Sequence, residues 1–182
     1  MPRLFVGIAL PESIRERLFL MQGGVPGARW EEQDKLHVTI TFIGETDHGT
    51  MRGIEDGLVA VQWTSFDLQL RGIGFFPPRG KPRSLWVGIA DPSPLLPLKA
   101  KVDRILSDLG IEPDPRRFTP HVTLARLRDA PRDKVMQFIG DHSLFQTEPF
   151  SVASFKLFSS VRSPKGSRYR VEAAFPLADT LG

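Results

Sequence analysis

The sequence predicts an α+β protein with a bilobal, pseudo-twofold duplicated fold: two antiparallel sheets facing a central cleft, with helices packed outside. Three observations predict it. Short apolar segments with period-two alternation take turns with segments whose apolar residues recur at helical spacing. Leu4-Phe5-Val6-Gly7-Ile8-Ala9 returns as Leu85-Trp86-Val87-Gly88-Ile89-Ala90, with one aromatic exchange. His37-Val38-Thr39-Ile40 returns as His121-Val122-Thr123-Leu124 at nearly the same interval. Each half runs strand, helix, histidine strand, helix, strand. The 182 residues therefore read as one domain built from two repeats, about 1–80 and 81–182.

Each element follows from local signals. Residues 3–9 are an apolar strand. Pro11 suits a first helical turn, and Ile14, Leu18 and Met21 recur at i, i+4, i+7, so 11–22 reads as an amphipathic helix. Gly23-Gly24 and Pro26-Gly27 end it, and 29–31 is a short extended piece. Residues 36–43 form the first histidine strand. Met51, Ile54, Leu58 and Val61 mark a helix over 48–61, and the alternation of Phe66, Leu68 and Leu70 opens a strand over 66–76. Residues 77–83 are a basic, proline-rich loop before a strand over 84–90. Ser93 is read as the cap, with Pro94 just inside, of a helix carrying Leu98, Val102, Ile105, Leu106 and Leu109; Gly110 stops it. The second histidine strand spans 119–127. Val135, Phe138 and Ile139 mark a short helix between Pro131 and Gly140, and strands over 150–160 and 169–175 flank a turn at Ser163-Pro164-Lys165-Gly166.

Composition bounds the function. Apolar residues are 41% and charged residues 25%, ordinary for a globular domain, and no stretch approaches the ~20 apolar residues of a membrane span. The N-terminal apolar run is cut short by Pro11-Glu12, unlike a signal peptide, so a cytoplasmic protein with no membrane partner is expected. The chain has no cysteine, which excludes disulfides, thiolate metal ligands and a cysteine nucleophile. Net charge is +3, compatible with a phosphate-bearing ligand but too weak to argue for nucleic acid alone.

The paired motifs carry the chemistry. In a strand, His and Thr of each copy point to one face and the apolar pair to the other. One such histidine is more often structural than catalytic. Two of them on equivalent strands bring two imidazoles to one site, and an imidazole reaches both protonation states near neutral pH. Thr39 and Thr123, two residues after each histidine, supply hydroxyl donors for developing phosphate charge. A zinc site is a poor alternative, because catalytic zinc takes three protein ligands and neither motif has an acidic neighbour to serve as the third. No metal and no cofactor are expected. His48 and His142, near helix ends and turns, read as surface or capping residues. Phe75, Phe76 and Trp86 read as core. Lys81, Arg83, Arg116, Arg117, Arg128, Arg162, Lys165 and Arg168 lie mostly in loops, where each is by default solvated and together they form a basic rim.

The ordered set Leu36 to Glu45, Pro82 to Gly88, Phe118 to Arg126, and Leu157-Phe158-Ser159-Ser160 through Tyr169 to Leu177 resembles the two-histidine (2H) phosphoesterase superfamily, in its RNA 2′,3′-cyclic phosphodiesterase (LigT-like, 2′,5′ RNA ligase-like) branch. The resemblance covers nearly the whole chain and departs at neither motif. It implies metal-independent opening of 2′,3′-cyclic phosphate RNA ends, such as those of tRNA halves, to leave 2′-phosphates, with 2′–5′ ligation as the reverse reaction, by a monomer. It assigns the general acid to His37 and the general base to His121; the residues themselves leave that symmetry unbroken. It further implies that Phe42 and Arg126 hold the nucleotide. Strict alternation puts both on the face opposite the histidines, so they reach the site only if the strand ends or bulges. For Phe42, core packing is an equal alternative; for Arg126, a charge on a core face needs a partner. Two rival readings remain: a 2H enzyme for another cyclic phosphate, such as an ADP-ribose cyclic phosphate or a cyclic nucleotide, and a non-catalytic module that binds RNA ends.

Overall fold

A computed structural model of the chain describes residues 1–179. In chain order its elements are β1 (Arg3–Ala9), α1 (Glu12–Leu20), β2 (Ala28–Trp30), β3 (His37–Glu45), α2 (His48–Leu58), β4 (Phe66–Leu68), β5 (Leu70–Phe76), β6 (Ser84–Ile89), α3 (Leu96–Asp108), β7 (His121–Leu127), α4 (Arg132–Asp141), β8 (Phe150–Val152), β9 (Ser154–Ser163) and β10 (Gly166–Pro176). The α+β reading holds, and the strands pair antiparallel. One sheet runs β10-β9-β1-β3-β7-β6-β5, with β2 also on β7; β4 and β8 make a separate two-stranded sheet. The strands of the two lobes meet at a seam between β3 and β7 that is a single residue pair wide, Val38 opposite Val122.

Hydrophobic burial sets which face is which. Val38, Ile40, Val122 and Leu124 are almost fully buried and share one core with Leu18 of α1, Ile54 of α2, Val102 of α3 and Val135 of α4. The helices thus seal the apolar face of the histidine strands and leave the His and Thr face open. Asp47 caps α2, its Oδ1 accepting from the Thr50 amide at 2.7 Å.

The sequence repeats are not the spatial lobes. β5, from the first repeat, pairs with β6 of the second; β9, from the second, pairs with β1 of the first; and β2 pairs with β7. The two matching hexapeptides also sit out of step. Gly7 lies opposite Thr39, whereas Trp86, not Gly88, lies opposite Thr123. A two-residue slip keeps every side chain on its face, because the strand period is two.

Four expected elements differ. The strand over 66–76 breaks at Gln69 and that over 150–160 breaks at Ala153; the detached pieces β4 and β8 pair with each other, Asp67 opposite Ser151. At the first break a side chain and a threonine replace ladder bonds: Gln69 Nε2 donates to the Thr147 carbonyl at 2.8 Å, and Thr147 Oγ1 accepts from the Leu70 amide at 3.1 Å. The helix expected over 48–61 ends at Leu58, where Ala60 and Val61 turn back on Gly57 and Leu58. Ser93 is not a cap. It begins a short 3₁₀ turn (Ser93–Leu95) before α3, and Asp91 Oδ1 accepts its amide at 3.0 Å.

Candidate active site

Two matching bulges shape the open face of the sheet. Along β1, the register on β3 steps from Thr41 to Thr39 between Val6 and Gly7; along β6, the register on β7 steps from Ala125 to Thr123 between Leu85 and Trp86. Each extra residue, Ile40 or Leu124, is followed by another buried one, Thr41 or Ala125. The alternation therefore flips, and Phe42 and Arg126 come out on the same face as the histidines. Phe42 is 59% exposed, which settles it as a surface aromatic rather than core. Thr41, turned inward, is held by α3: its Oγ1 donates to Asp103 Oδ1 at 2.7 Å and accepts from Lys99 Nζ at 3.1 Å, while Lys99 pairs with Asp103 at 2.8 Å.

Each imidazole is oriented by the carbonyl two residues before it. His37 Nδ1 donates to the Lys35 carbonyl at 2.7 Å, and His121 Nδ1 donates to the Thr119 carbonyl at 2.6 Å. These bonds fix Nδ1 as the protonated nitrogen of the neutral rings and leave Nε2 as the working atom. His37 Nε2 lies 2.9 Å from Thr39 Oγ1. The rings are walled differently. His37 stands 4.7 Å from the Phe5 ring and edge-on to Tyr169 at 5.6 Å; His121 stands edge-on to Phe76 at 5.1 Å, with Trp86 at 6.0 Å. Enclosure pushes the His37 pKa below the ordinary imidazole value. The Lys35 carbonyl opposes that shift and the neighbouring His121 adds to it. Gly7 makes the fit possible: a Cβ there would stand 2.8 Å from the Val38 carbonyl oxygen and 3.4 Å from the His37 ring.

All six candidates from the sequence line one cavity of about 210 Å³: His37, Thr39, Phe42, His121, Thr123 and Arg126. Larger cavities open on either side. One of about 890 Å³ lies toward His121 and is walled by Phe42, Phe76, Pro77, Pro78 and Phe118, with Lys81, Arg83, Lys99, Arg116 and Arg117 around it. The other, of about 440 Å³, lies toward the β9–β10 hairpin and is polar.

The structure corrects two assignments and adds several residues. Phe76, expected in the core, faces the large cavity beside His121. Trp86, also expected in the core, lies outside it, half-buried behind Phe76 and opposite Thr123 on the histidine side of the sheet. Lys35, Glu31, Arg3 and Tyr169 also reach the histidine cavity, and no motif pointed to them. Tyr169, the chain's single tyrosine, lies in the C-terminal stretch that carries the resemblance, but no role is read for it there. Burial, with the Glu31 carboxylate nearby, raises the Tyr169 pKa, and burial raises that of Glu31 against the pull of Arg126. His48 opens α2 on the surface and His142 ends α4 against Phe138, as expected for residues outside the site.

Comparison with known proteins gives concordant results. The family model described as LigT like phosphoesterase matches the chain twice, over residues 8–86 and 87–169. A protein of Archaeoglobus fulgidus named RNA 2′,3′-cyclic phosphodiesterase is 31% identical, covering 92% of this chain and 96% of its own length. One of Aeropyrum pernix with the same name is 33% identical over 81% of this chain and 84% of its own. Among solved structures, a Thermus thermophilus protein superposes with a TM-score of 0.81 at 26% identity, covering 97% of this chain and 98% of that one. LigT of Escherichia coli complexed with 3′-AMP superposes at 0.76 and 25% identity, covering 97% and 99%.

Proposed function

The chain belongs to the LigT like phosphoesterase family, and on that footing we propose that it hydrolyses 2′,3′-cyclic phosphates at RNA ends to 2′-phosphates, using His37 and His121 as an acid/base pair. The observation that carries this reading is the pair of imidazoles, each tied at Nδ1 to a carbonyl, with Nε2 left to work in one cavity. The names of the relatives support the substrate class, and the 3′-AMP complex of the Escherichia coli protein supports a nucleotide ligand.

In the proposed reaction a water oxygen attacks the phosphorus and gives its proton to one imidazole. The bond from phosphorus to O3′ breaks in line, and the other imidazole protonates O3′. Thr39 and Thr123 donate to the non-bridging oxygens as charge builds there. By resemblance His37 is the acid. Burial disfavours its charged form, and an anionic phosphate beside it offsets that penalty and favours the protonated ring that the acid role needs. A 5′-hydroxyl in place of water gives a 2′–5′ linkage by the same path.

The test is turnover, in EDTA, of a short RNA bearing a 2′,3′-cyclic phosphate, with the product terminus identified. A 2′-phosphate with full activity is expected. A 3′-phosphate would reverse which oxygen leaves, and no product from folded protein would move the assignment to another cyclic phosphate or to end-binding alone.

A further inference from the structure

The polar cavity of about 440 Å³ lies between β2, β7 and the β9–β10 hairpin, and it opens into the histidine cavity through Glu31, Arg126 and Tyr169, which line both. Its cations are arranged against their own stability. Arg29 of β2 sits directly opposite Arg126 of β7 in an antiparallel pair. Like charges at directly opposed positions repel, and opposite charges are the arrangement that stabilises a ladder. The other cations here are occupied: Arg3 pairs with Glu45 at 3.6 Å and Lys35 with Glu32 at 3.5 Å. Arg29, Arg126 and Arg162 make no ion pair among the described residues. Arg162 lines the cavity from the hairpin side. The hairpin turn also makes room for a guanidinium: a Cβ on Gly166 would stand 3.0 Å from Arg29 Nη2, and its φ of +116° suits glycine.

Glu31 and Glu32 line the same recess, and Arg126 and Arg29 act on the Glu31 carboxylate, but neither forms an ion pair with it, and burial disfavours its charged form; the three guanidiniums therefore keep a net capacity for an anion next to the phosphodiester site. The large cavity on the other flank, walled by aromatic and proline rings, suits a base. We infer that the Arg29–Arg126–Arg162 recess is a subsite for the internal phosphodiester next to the cyclic end of an RNA chain, so that the protein engages an oligonucleotide through backbone charge as well as through its terminal nucleotide. This rests on the RNA-end reading above and extends it to the chain behind the end. An isolated cyclic mononucleotide has no such phosphate and leaves the recess empty. The contact is to the backbone, so it favours length over sequence.

The test compares a cyclic mononucleotide with a tetranucleotide ending in a 2′,3′-cyclic phosphate, in the parent and in the R29Q/R162Q variant. The ratio of kcat/KM for tetranucleotide over mononucleotide is expected to exceed one in the parent and to fall about tenfold in the variant. Its dependence on salt should weaken as well, since each lost phosphate contact lowers the salt slope by about one. A parent that shows no length preference, or a variant whose ratio and salt slope match the parent's, overturns the subsite. Anisotropy binding of the same tetranucleotide with a plain 3′-phosphate separates the two readings. If neither cyclic substrate turns over but RNA binding still weakens tenfold in R29Q/R162Q, the catalytic assignment falls and the subsite stands. Equal binding by both proteins removes the subsite whatever the turnover.

Discussion

Val38 pairs with Val122 across the β3–β7 seam, and the two are separated in sequence by the same interval as His37 from His121 and Thr39 from Thr123. Continued one step either way, that register sets each histidine across from the threonine of the other motif. The ladder stops at the one pair, and the opening beside it is the cavity that holds all four side chains. Either histidine alone is therefore half of a site. His37→Ala and His121→Ala are each expected to lower turnover of a cyclic-phosphate RNA by at least ~100-fold, the scale of one general acid or base. Steady-state rates within about tenfold of the parent for either variant would remove the two-imidazole mechanism.

Phe42 is brought to the site face by the bulge at Ile40 and is largely exposed. Phe42→Ala should raise KM for RNA about tenfold, the loss of one base-stacking platform, and leave the midpoint of urea unfolding within the small range of surface substitutions. A large drop in stability with no change in KM would return Phe42 to a packing role.

The half-buried His37 imidazole, walled by Phe5 and Tyr169, predicts a slope in stability with pH. Its pKa is depressed in the folded protein, so the unfolded chain takes up this proton first as pH falls. The stabilisation is complete above the ordinary imidazole value of 6.5 and declines below it until the folded pKa is reached. Unfolding free energies at pH 7.5 and 5.5 should differ more in the parent than in His37→Gln. An identical difference in both proteins would mean that burial does not disfavour the charged ring.

Gly7 is predicted to be intolerant of even one methyl. Gly7→Ala places a carbon 2.8 Å from the Val38 carbonyl oxygen, so β1 and β3 must part. Overpacking of this kind costs ~1–3 kcal/mol, and here it also tilts the ring of His37. Thermal unfolding and turnover should fall together. Full activity with parental stability would show that the strands yield freely at this point.

Sequence reasoning reaches the site through its period-two pattern. That pattern puts His37 and Thr39 on one face and Val38 and Ile40 in the core, and the duplicated motif names the second set. It stops where period two stops. The bulges at Ile40 and Leu124 leave no mark in composition, so the face taken by Phe42 and Arg126 is undecidable from residues alone. The breaks at Gln69 and Ala153 depend on partners far along the chain, Thr147 for the first and β4 for the second. Phe76 departs from its expected place because an aromatic in an apolar strand has two faces to choose from. Glu31 and Tyr169 reach the histidines only through long-range packing of β2 and β10, whereas Lys35 is a local neighbour, two residues before His37, that the motif does not include.

The exchange of β5 and β9 between the halves has a consequence for how the protein is assembled. A chain severed after Gly80 would yield two pieces, each missing the strand that borders its own β1 or β6. Neither piece holds an intact sheet, and each carries only one of the two site imidazoles, His37 or His121. The two should recover structure and turnover only when mixed, as interlocked fragments rather than docked modules. The sheet and the reaction centre are in this sense completed in the same event, since the strands that close one bring together the side chains of the other.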